Sequence, residues 1–184
     1  MRLRRGSRFS DLKVQSDPRV DDKVFLRIKN QENMDVQERL SQHFTLRELC
    51  KTSVRMENVP SKAQVENLKR LCRWLERLRR RWNERYADIG NGGMEEPLIV
   101  NSGYRSAAVN KAVGGAPTSN HLTGCAVDIR VAGLEQLLRY AVILLDISDE
   151  SKEDFDELLL ERKGAVMWLH FAVRPSGNRR RVNW

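Results

Sequence analysis

The stretch SGYRSAAVNKAVGGAPTSNHLTGCAVDIR, residues 102–130, contains the residues on which the fold and the chemistry of this chain depend. Its second half carries His121 and Asp128, and Gly124 between them allows a tight turn that brings a loop back to a strand. Both side chains are ligands for divalent metals. The 184-residue chain has only three histidines, so any histidine chemistry uses nearly all of them.

A second candidate ligand, His170, lies in the apolar run WLHF near the end of the chain. A histidine buried in such a run needs a hydrogen-bond partner or a metal. Two histidines and one carboxylate with an open fourth position form a set that suits catalytic zinc, whereas calcium and magnesium prefer oxygen ligands. Spacing alone leaves the plainer alternative open, in which His121 is a surface loop residue and His170 a satisfied core residue.

Outward from this stretch, the hydrophobic pattern predicts a single α+β domain. The strongest helix is predicted over 62–86, because a capping box at Ser61 and Gln64 precedes leucines at three- and four-residue steps. The other predicted elements are a short helix after Thr45, strands at 97–103 and 125–131, helices at 105–113 and 134–145, and two strands at 154–161 and 165–173.

These motifs resemble the zinc D-alanyl-D-alanine carboxypeptidase family, which includes small phage and bacterial murein peptidases. The resemblance covers about residues 44–173 and implies a Hedgehog/DD-peptidase-like α+β fold, with a helical N-terminal part and a small, largely antiparallel sheet that carries the zinc site. It implies one zinc ion held by His121, Asp128 and His170. The residues that carry it are Ser102-Gly103-Tyr104-Arg105-Ser106, Val109-Asn110, Val113-Gly114-Gly115, Ser119, His121, Gly124, Ala126, Asp128, Trp168 and His170.

A zinc hydrolase also needs a general base beside the attacking water. In several family members this is a glutamate three residues before the last histidine, where this chain has Met167. Related members place it at the end of the preceding strand, which corresponds to Glu161 here. We therefore predict Glu161 as the base, with Asp156 and Glu157 as weaker candidates. The alternative is that Glu161 is a surface residue paired with a neighbouring cation.

The arginine of the SGYRS motif, Arg105, is the second predicted catalytic residue. By resemblance it stabilises the developing oxyanion or holds the substrate carboxylate, which suits a guanidinium group. Ser119 and Tyr104 complete the predicted substrate-binding set. Ser119 also fits a role in shaping the loop before His121, and Tyr104 fits packing better than chemistry.

The net charge of +8 indicates an anionic partner or surface. We divide the chain into a basic arm at 1–40, a zinc peptidase domain at 41–174 and a basic tail at 175–184, and expect the positive charge to aid docking on anionic cell-wall polymer. The arginine-rich helix leaves a nucleic-acid binder open as an alternative, although no nucleic-acid motif or interleaved aromatic pattern accompanies it.

The sequence thus predicts a zinc-dependent peptidase that acts as a monomer and hydrolyses D-Ala-D-Ala or related bonds in peptidoglycan stem peptides, as a phage lysis or wall-remodelling enzyme. A catalytically inactive, Hedgehog-like zinc module is the other alternative. No apolar run is long enough to span a bilayer. No Sec-type signal peptide is visible, so we expect cytoplasmic synthesis, with holin-type release as a route to the wall.

Overall fold

Helices pack against a five-stranded sheet in the computed structural model, which describes residues 38–87 and 94–183. The sheet order is β1-β2-β4-β3-β5, and all neighbouring strands are antiparallel except β3 and β5, which are parallel. The predicted α+β class is confirmed. The helices are α1 (Leu46–Leu49), α2 (Lys62–Tyr86), α3 (Ala107–Ala112) and α4 (Leu134–Ser151), and the strands are β1 (Val100–Ser102), β2 (Ala126–Arg130), β3 (Glu157–Lys163), β4 (Val166–Ala172) and β5 (Arg181–Asn183).

Helix α2 begins at the predicted capping box. The Ser61 hydroxyl accepts a hydrogen bond from the Gln64 amide, and the Gln64 side chain accepts one from the Ser61 amide at 2.6 Å. Two backbone donors that have no partner inside the helix are satisfied in this way. Trp74 of α2 packs on Phe171 of β4, with ring centroids 5.4 Å apart. The predicted apolar stripe is buried, including Leu68, Leu71, Leu75 and Leu78.

The arginine-rich side of α2 faces a row of carboxylates. Three arginines, spaced one helical turn apart, each bond an acidic side chain on α4 or just after it. The pairs are Arg77–Glu153 at 2.7 Å, Arg81–Glu150, and Arg85–Asp146 at 2.9 Å. Exposed pairs of this kind contribute little stability, but they neutralise part of the positive charge that left nucleic-acid binding open as an alternative.

Two elements differ from the sequence prediction. Helix α4 continues beyond residue 145 to Ser151, because the polar residues that end its apolar pattern are held by arginines of α2, and it ends at Lys152 with φ of 59°. Strand β5 was not predicted, since its residues were assigned to a polar tail. It pairs in parallel with the start of β3, with Arg181 opposite Glu157.

The division into arm, domain and tail stays a prediction. Residues 1–37 of the predicted arm lie outside the described residues, whereas Leu40 is buried in the core together with Phe44. None of the described helices is both long and apolar enough to cross a bilayer.

Candidate metal centre

Three side chains meet on one face of the sheet. In the described part of the chain, His121, Asp128 and His170 form a group whose ligand atoms all lie within 4.8 Å of one another. The Asp128 Oδ1 atom lies 3.2 Å from His121 Nε2 and 2.9 Å from His170 Nδ1. Strand register explains why Asp128 and His170 are neighbours. Asp128 on β2 is directly opposite His170 on β4, and paired residues point to the same face of the sheet.

The third side chain comes from a single 3₁₀ turn, Asn120–Thr123, that precedes β2. The Ser119 hydroxyl accepts a hydrogen bond from the His121 amide at 3.3 Å and so begins the turn. Gly124 ends the turn with φ of 72°, a left-handed conformation that favours glycine. A Cβ there would also lie 2.7 Å from the Gln64 carbonyl oxygen of α2. The predicted turn at Gly124 therefore returns His121 to the side of Asp128.

Contacts behind the cluster orient both imidazole rings. His121 Nδ1 lies 2.6 Å from the Gly103 carbonyl oxygen and donates its proton there, so Nε2 is the atom that faces Asp128. His170 Nε2 lies 3.5 Å from Glu157 Oε2, so Nδ1 is the atom that faces Asp128. Contacts of this type set the tautomer and the ring orientation of histidine ligands.

Charge is strongly coupled inside the cluster. Burial alone would raise the pKa of Asp128, but the hydrogen bonds and charges of His121 and His170 lower it well below its usual range. Burial alone would lower the pKa of His170, yet Asp128 and Glu157 raise it to about 9. Asp128 is therefore ionised, as a metal ligand must be.

The donor set fits a tetrahedral ion such as zinc. Zinc binds nitrogen and oxygen at about 2.0–2.2 Å, which places neighbouring ligand atoms roughly 3.4 Å apart. The separations of 3.2 and 2.9 Å from Asp128 Oδ1 are close to this spacing. Two imidazoles and one carboxylate leave a fourth position open, as catalytic zinc sites do.

The cluster lies in an open cleft of about 590 Å³, which is within the usual range for ligand pockets. The loop Val113–Ala116 forms one side and the β3–β4 strands form another. Three C-terminal arginines, Arg174, Arg179 and Arg181, line one end. The cleft is large enough to hold a peptide segment over the side chains of His121, Asp128 and His170.

The predicted base, Glu161, lines this cleft. It lies on β3 two residues after Leu159, which is opposite His170, so Glu161 and His170 point to the same face of the sheet. Trp168 Nε1 donates a hydrogen bond to Glu161 Oε2 at 2.7 Å. The Glu161 charge also helps to raise the pKa of His170.

Arg105 also lies at the cluster. Its Nη2 atom donates a hydrogen bond to Asp128 Oδ2, and its Nε atom donates one to Ser102 Oγ at 2.8 Å. Ser102 is opposite Asp128 in the sheet, so β1 positions both the arginine and the carboxylate that it contacts. The structure thus brings Arg105 together with the three predicted ligands.

The two remaining predicted residues lie in different surroundings. Ser119 lines the cleft, and its observed hydrogen bond shapes the turn before His121. Tyr104 is buried in the core, and its amide donates to the Leu49 carbonyl oxygen at 2.7 Å. Tyr104 is not among the residues that line the cleft, so its observed role is packing.

A buried polar network that lies behind the cluster was not predicted from the sequence. Asn120 Nδ2 donates to Asp156 Oδ2 at 2.7 Å and to Glu157 Oε2 at 2.9 Å, while its Oδ1 accepts from Arg174 Nε. The fully buried Asp156 accepts two bonds from Arg179, at 2.8 and 2.7 Å. The signal for it in the sequence is the adjacent acidic pair Asp156-Glu157 at the beginning of β3, predicted above only as weaker candidates for the base.

Glu157 is the member of this network that contacts the cluster. Contact with His170, together with Asn120 and Arg179, outweighs burial and lowers the pKa of Glu157 to about 2. Both of its oxygens are occupied, Oε2 by Asn120 and Oε1 by Arg179 at 2.8 Å. Glu157 is therefore placed to orient His170.

We expect Asp156 to make the stability of the protein fall in acid. Burial alone would raise its pKa, but Arg179, Asn120 and Arg174 hold it below the ordinary 3.8. A carboxyl group with a lowered folded-state pKa stabilises fully above its unfolded value of about 3.9, and this stabilisation is lost as pH falls through the folded value. Asp156→Asn should lower the free energy of unfolding by about 3 kcal/mol at pH 7 and flatten its decline below pH 4, as measured by urea denaturation.

The control for this prediction is Asp154→Asn. Asp154 is exposed, and its described bond is a 3.4 Å contact with Arg180. We expect this variant to change stability by no more than about 0.5 kcal/mol. Equal effects of the two substitutions at pH 7, or unchanged acid sensitivity in Asp156→Asn, would show that the buried carboxylate does not hold the network.

Comparison with known proteins agrees with this geometry. A family model described as Peptidase M15 matches residues 42–144, which is more than half of the chain. The match contains Arg105, His121 and Asp128, while Glu161 and His170 lie beyond it. A search of curated proteins gave no match.

Proposed function

The chain belongs to the peptidase M15 family, a family of zinc metallopeptidases, and we propose that it hydrolyses D-Ala-D-Ala or related bonds in peptidoglycan stem peptides. The observation that carries the proposal is the cluster of His121, Asp128 and His170 in an open cleft. The family supports a peptidase, and the ligand set supports zinc as its ion. When bound in such a site, zinc lowers the pKa of a water molecule to about 7 and polarises a carbonyl group.

Glu161 is the proposed general base. In this proposal it accepts the proton of the attacking water and returns it to the leaving amine, and its position on the cleft lining supports the role. Trp168 holds its Oε2 atom, so Oε1 is the atom proposed to face the water. Glu157 is a poorer candidate, because Asn120 and Arg179 already occupy its two oxygens.

Arg105 is proposed to bind the substrate on the other side of the cluster. Its Nε and Nη2 atoms bond Ser102 and Asp128, while Nη1 has no partner among the described residues. A guanidinium group fixed in this way is suited to a substrate carboxylate or a developing oxyanion. Ser119, which lines the same cleft, is proposed as a further polar contact.

The two alternative functions are affected differently by the structure. Pairing of Arg77, Arg81 and Arg85 with carboxylates weakens the argument for nucleic-acid binding. The inactive, Hedgehog-like zinc module is the second outcome of the test below. Docking on anionic wall polymer, a monomeric state and holin-type release stay predictions.

The test is release of D-alanine from a muramyl pentapeptide and from purified sacculi. We expect release by the zinc-loaded protein, loss of release with a chelator, and recovery when zinc is added back. Release that survives complete metal removal would overturn the zinc mechanism. A protein that holds zinc but cleaves neither substrate would be the inactive module instead.

A further inference from the structure

Three arginines that the mechanism does not use line one end of the cleft. Arg174, Arg179 and Arg181, here called the C-terminal arginine cluster, all come from the last eleven residues of the chain. They lie outside residues 42–144, which the family model matches. The family match therefore assigns no role to these arginines.

Two of these arginines are held in place by hydrogen bonds to other side chains of the protein. Arg179 uses Nε and Nη2 to bond the buried Asp156. Arg174 bonds Asn120 and Asp156 through its Nε atom, at 3.0 Å each. The guanidinium groups are thus held in place before any ligand arrives, which lowers the entropy cost of binding.

The third arginine is held by strand pairing and is only weakly bonded. Arg181 lies opposite Glu157 on β5, so its side chain is on the cleft face of the sheet. Its described contact is 3.4 Å from Nη1 to Glu157 Oε1, and 52% of the side chain is exposed. It remains available for a stronger partner.

The charge at this end of the cleft is unbalanced. Three guanidinium groups share two carboxylates, Asp156 and Glu157. The arginines of α2 that bond α4 differ from them, since each has a carboxylate of its own. The surplus positive charge is thus concentrated where a bound peptide would pass.

The sheet sets the distance between this cluster and the metal centre. Neighbouring strands lie about 4.8 Å apart, and β5 is two strands from β4, which carries His170. For Arg181 on β5, this backbone separation of about 10 Å equals the length of about three extended residues. Arg174 and Arg179 lie closer to the metal centre, because they contact Asn120 and Glu157. Arg105 bonds Ser102 of β1 and Asp128 of β2, and so lies at the opposite side of the metal centre.

We propose that the C-terminal arginine cluster is a second carboxylate subsite. It binds a free carboxylate of the peptide substrate two or three residues from the scissile bond, on the side opposite the group that Arg105 holds. The inference rests on the proposed peptidase function and narrows its substrate to peptides that carry such a carboxylate. Arginine suits this role because its planar donors match a carboxylate.

The test compares two peptides that differ by one charge. The first is the tetrapeptide L-Ala-γ-D-Glu-L-Lys-D-Ala, and the second replaces D-Glu by D-isoglutamine, which converts the free α-carboxylate to a carboxamide. Calorimetric titration of the zinc-loaded full chain should show about tenfold tighter binding of the acidic peptide. Arg181→Gln should abolish that preference, and Arg181→Lys should keep part of it. The control, Arg73→Gln, removes an exposed arginine of α2 that does not line the cleft and should keep the full preference.

Cleavage of the two matching pentapeptides, measured in parallel, separates this proposal from the proposed function. Equal binding of the two tetrapeptides, or a preference that persists in Arg181→Gln, overturns the subsite even if both pentapeptides are cleaved. A binding preference lost in Arg181→Gln supports the subsite, even if neither pentapeptide is hydrolysed and the peptidase function fails.

Discussion

Replacing Glu161 by glutamine should lower kcat by about 10²–10⁴-fold while the zinc content stays at one ion per chain. Glutamine keeps an oxygen that accepts the Trp168 hydrogen bond, so the local packing is preserved. It has no carboxylate to take up a proton, so the chemical step is the one affected. The measurements are D-alanine release from a muramyl pentapeptide and zinc content by elemental analysis.

The matched control is Glu135→Gln, the same change at an exposed position of α4 where Glu135 pairs with Arg139. This variant should keep full activity. Full activity in Glu161→Gln would show that Glu161 is not the base. Zinc loss in Glu161→Gln would show that the residue supports the metal instead.

The structure brings together the three predicted ligands, His121, Asp128 and His170, and two of them carry local signals in the sequence. Gly124 marks the turn that follows His121, and the apolar run around His170 marks a strand. His121 and His170 are far apart in the sequence, and periodicity alone did not assign them to one site. The family resemblance supplied that assignment. The helix over 62–86 was also predicted at its observed bounds, because capping and apolar spacing agree there.

The polar network behind the cluster could not be predicted from the sequence. Asn120, Asp156 and Arg179 are far apart in the chain, and the pairing of β5 with β3 lies beside the contact between Arg179 and Asp156. A three-residue strand carries no measurable alternation, and a parallel pairing has no hairpin turn to signal it. The same reason hid the C-terminal arginine cluster, whose residues looked like a polar tail.

The arginines of α2 show a limit of predicting surface charge from composition. Their composition predicted a basic surface, whereas the end of α4 carries acidic side chains. Packing of α2 beside α4 puts the two together, as in the Arg77–Glu153 pair at 2.7 Å. Net charge per segment therefore did not predict surface charge here, because it ignores which helices become neighbours.

Replacing His121 by alanine should remove both the metal and the activity. Loss of one of the three proposed ligands leaves Asp128 and His170, and the Gly103 carbonyl oxygen loses the imidazole that it orients. For the wild-type chain, zinc at about 100 times its Kd should add about 2.7 kcal/mol to the free energy of unfolding, because the metal binds the folded state. His121→Ala should show no such gain and no D-alanine release above background.

The third histidine provides the control for this prediction. His43 bonds Glu76 at 2.7 Å in the turn before α1, outside the cleft. His43→Ala removes an imidazole of the same size and should keep the zinc-dependent stabilisation and the activity. If zinc stabilised His121→Ala as much as the wild-type chain, the ion would have to bind elsewhere, and the ligand set of His121, Asp128 and His170 would be wrong. Equal losses in both variants would instead mean that any histidine removal damages the fold, so only the contrast between them supports ligation by His121.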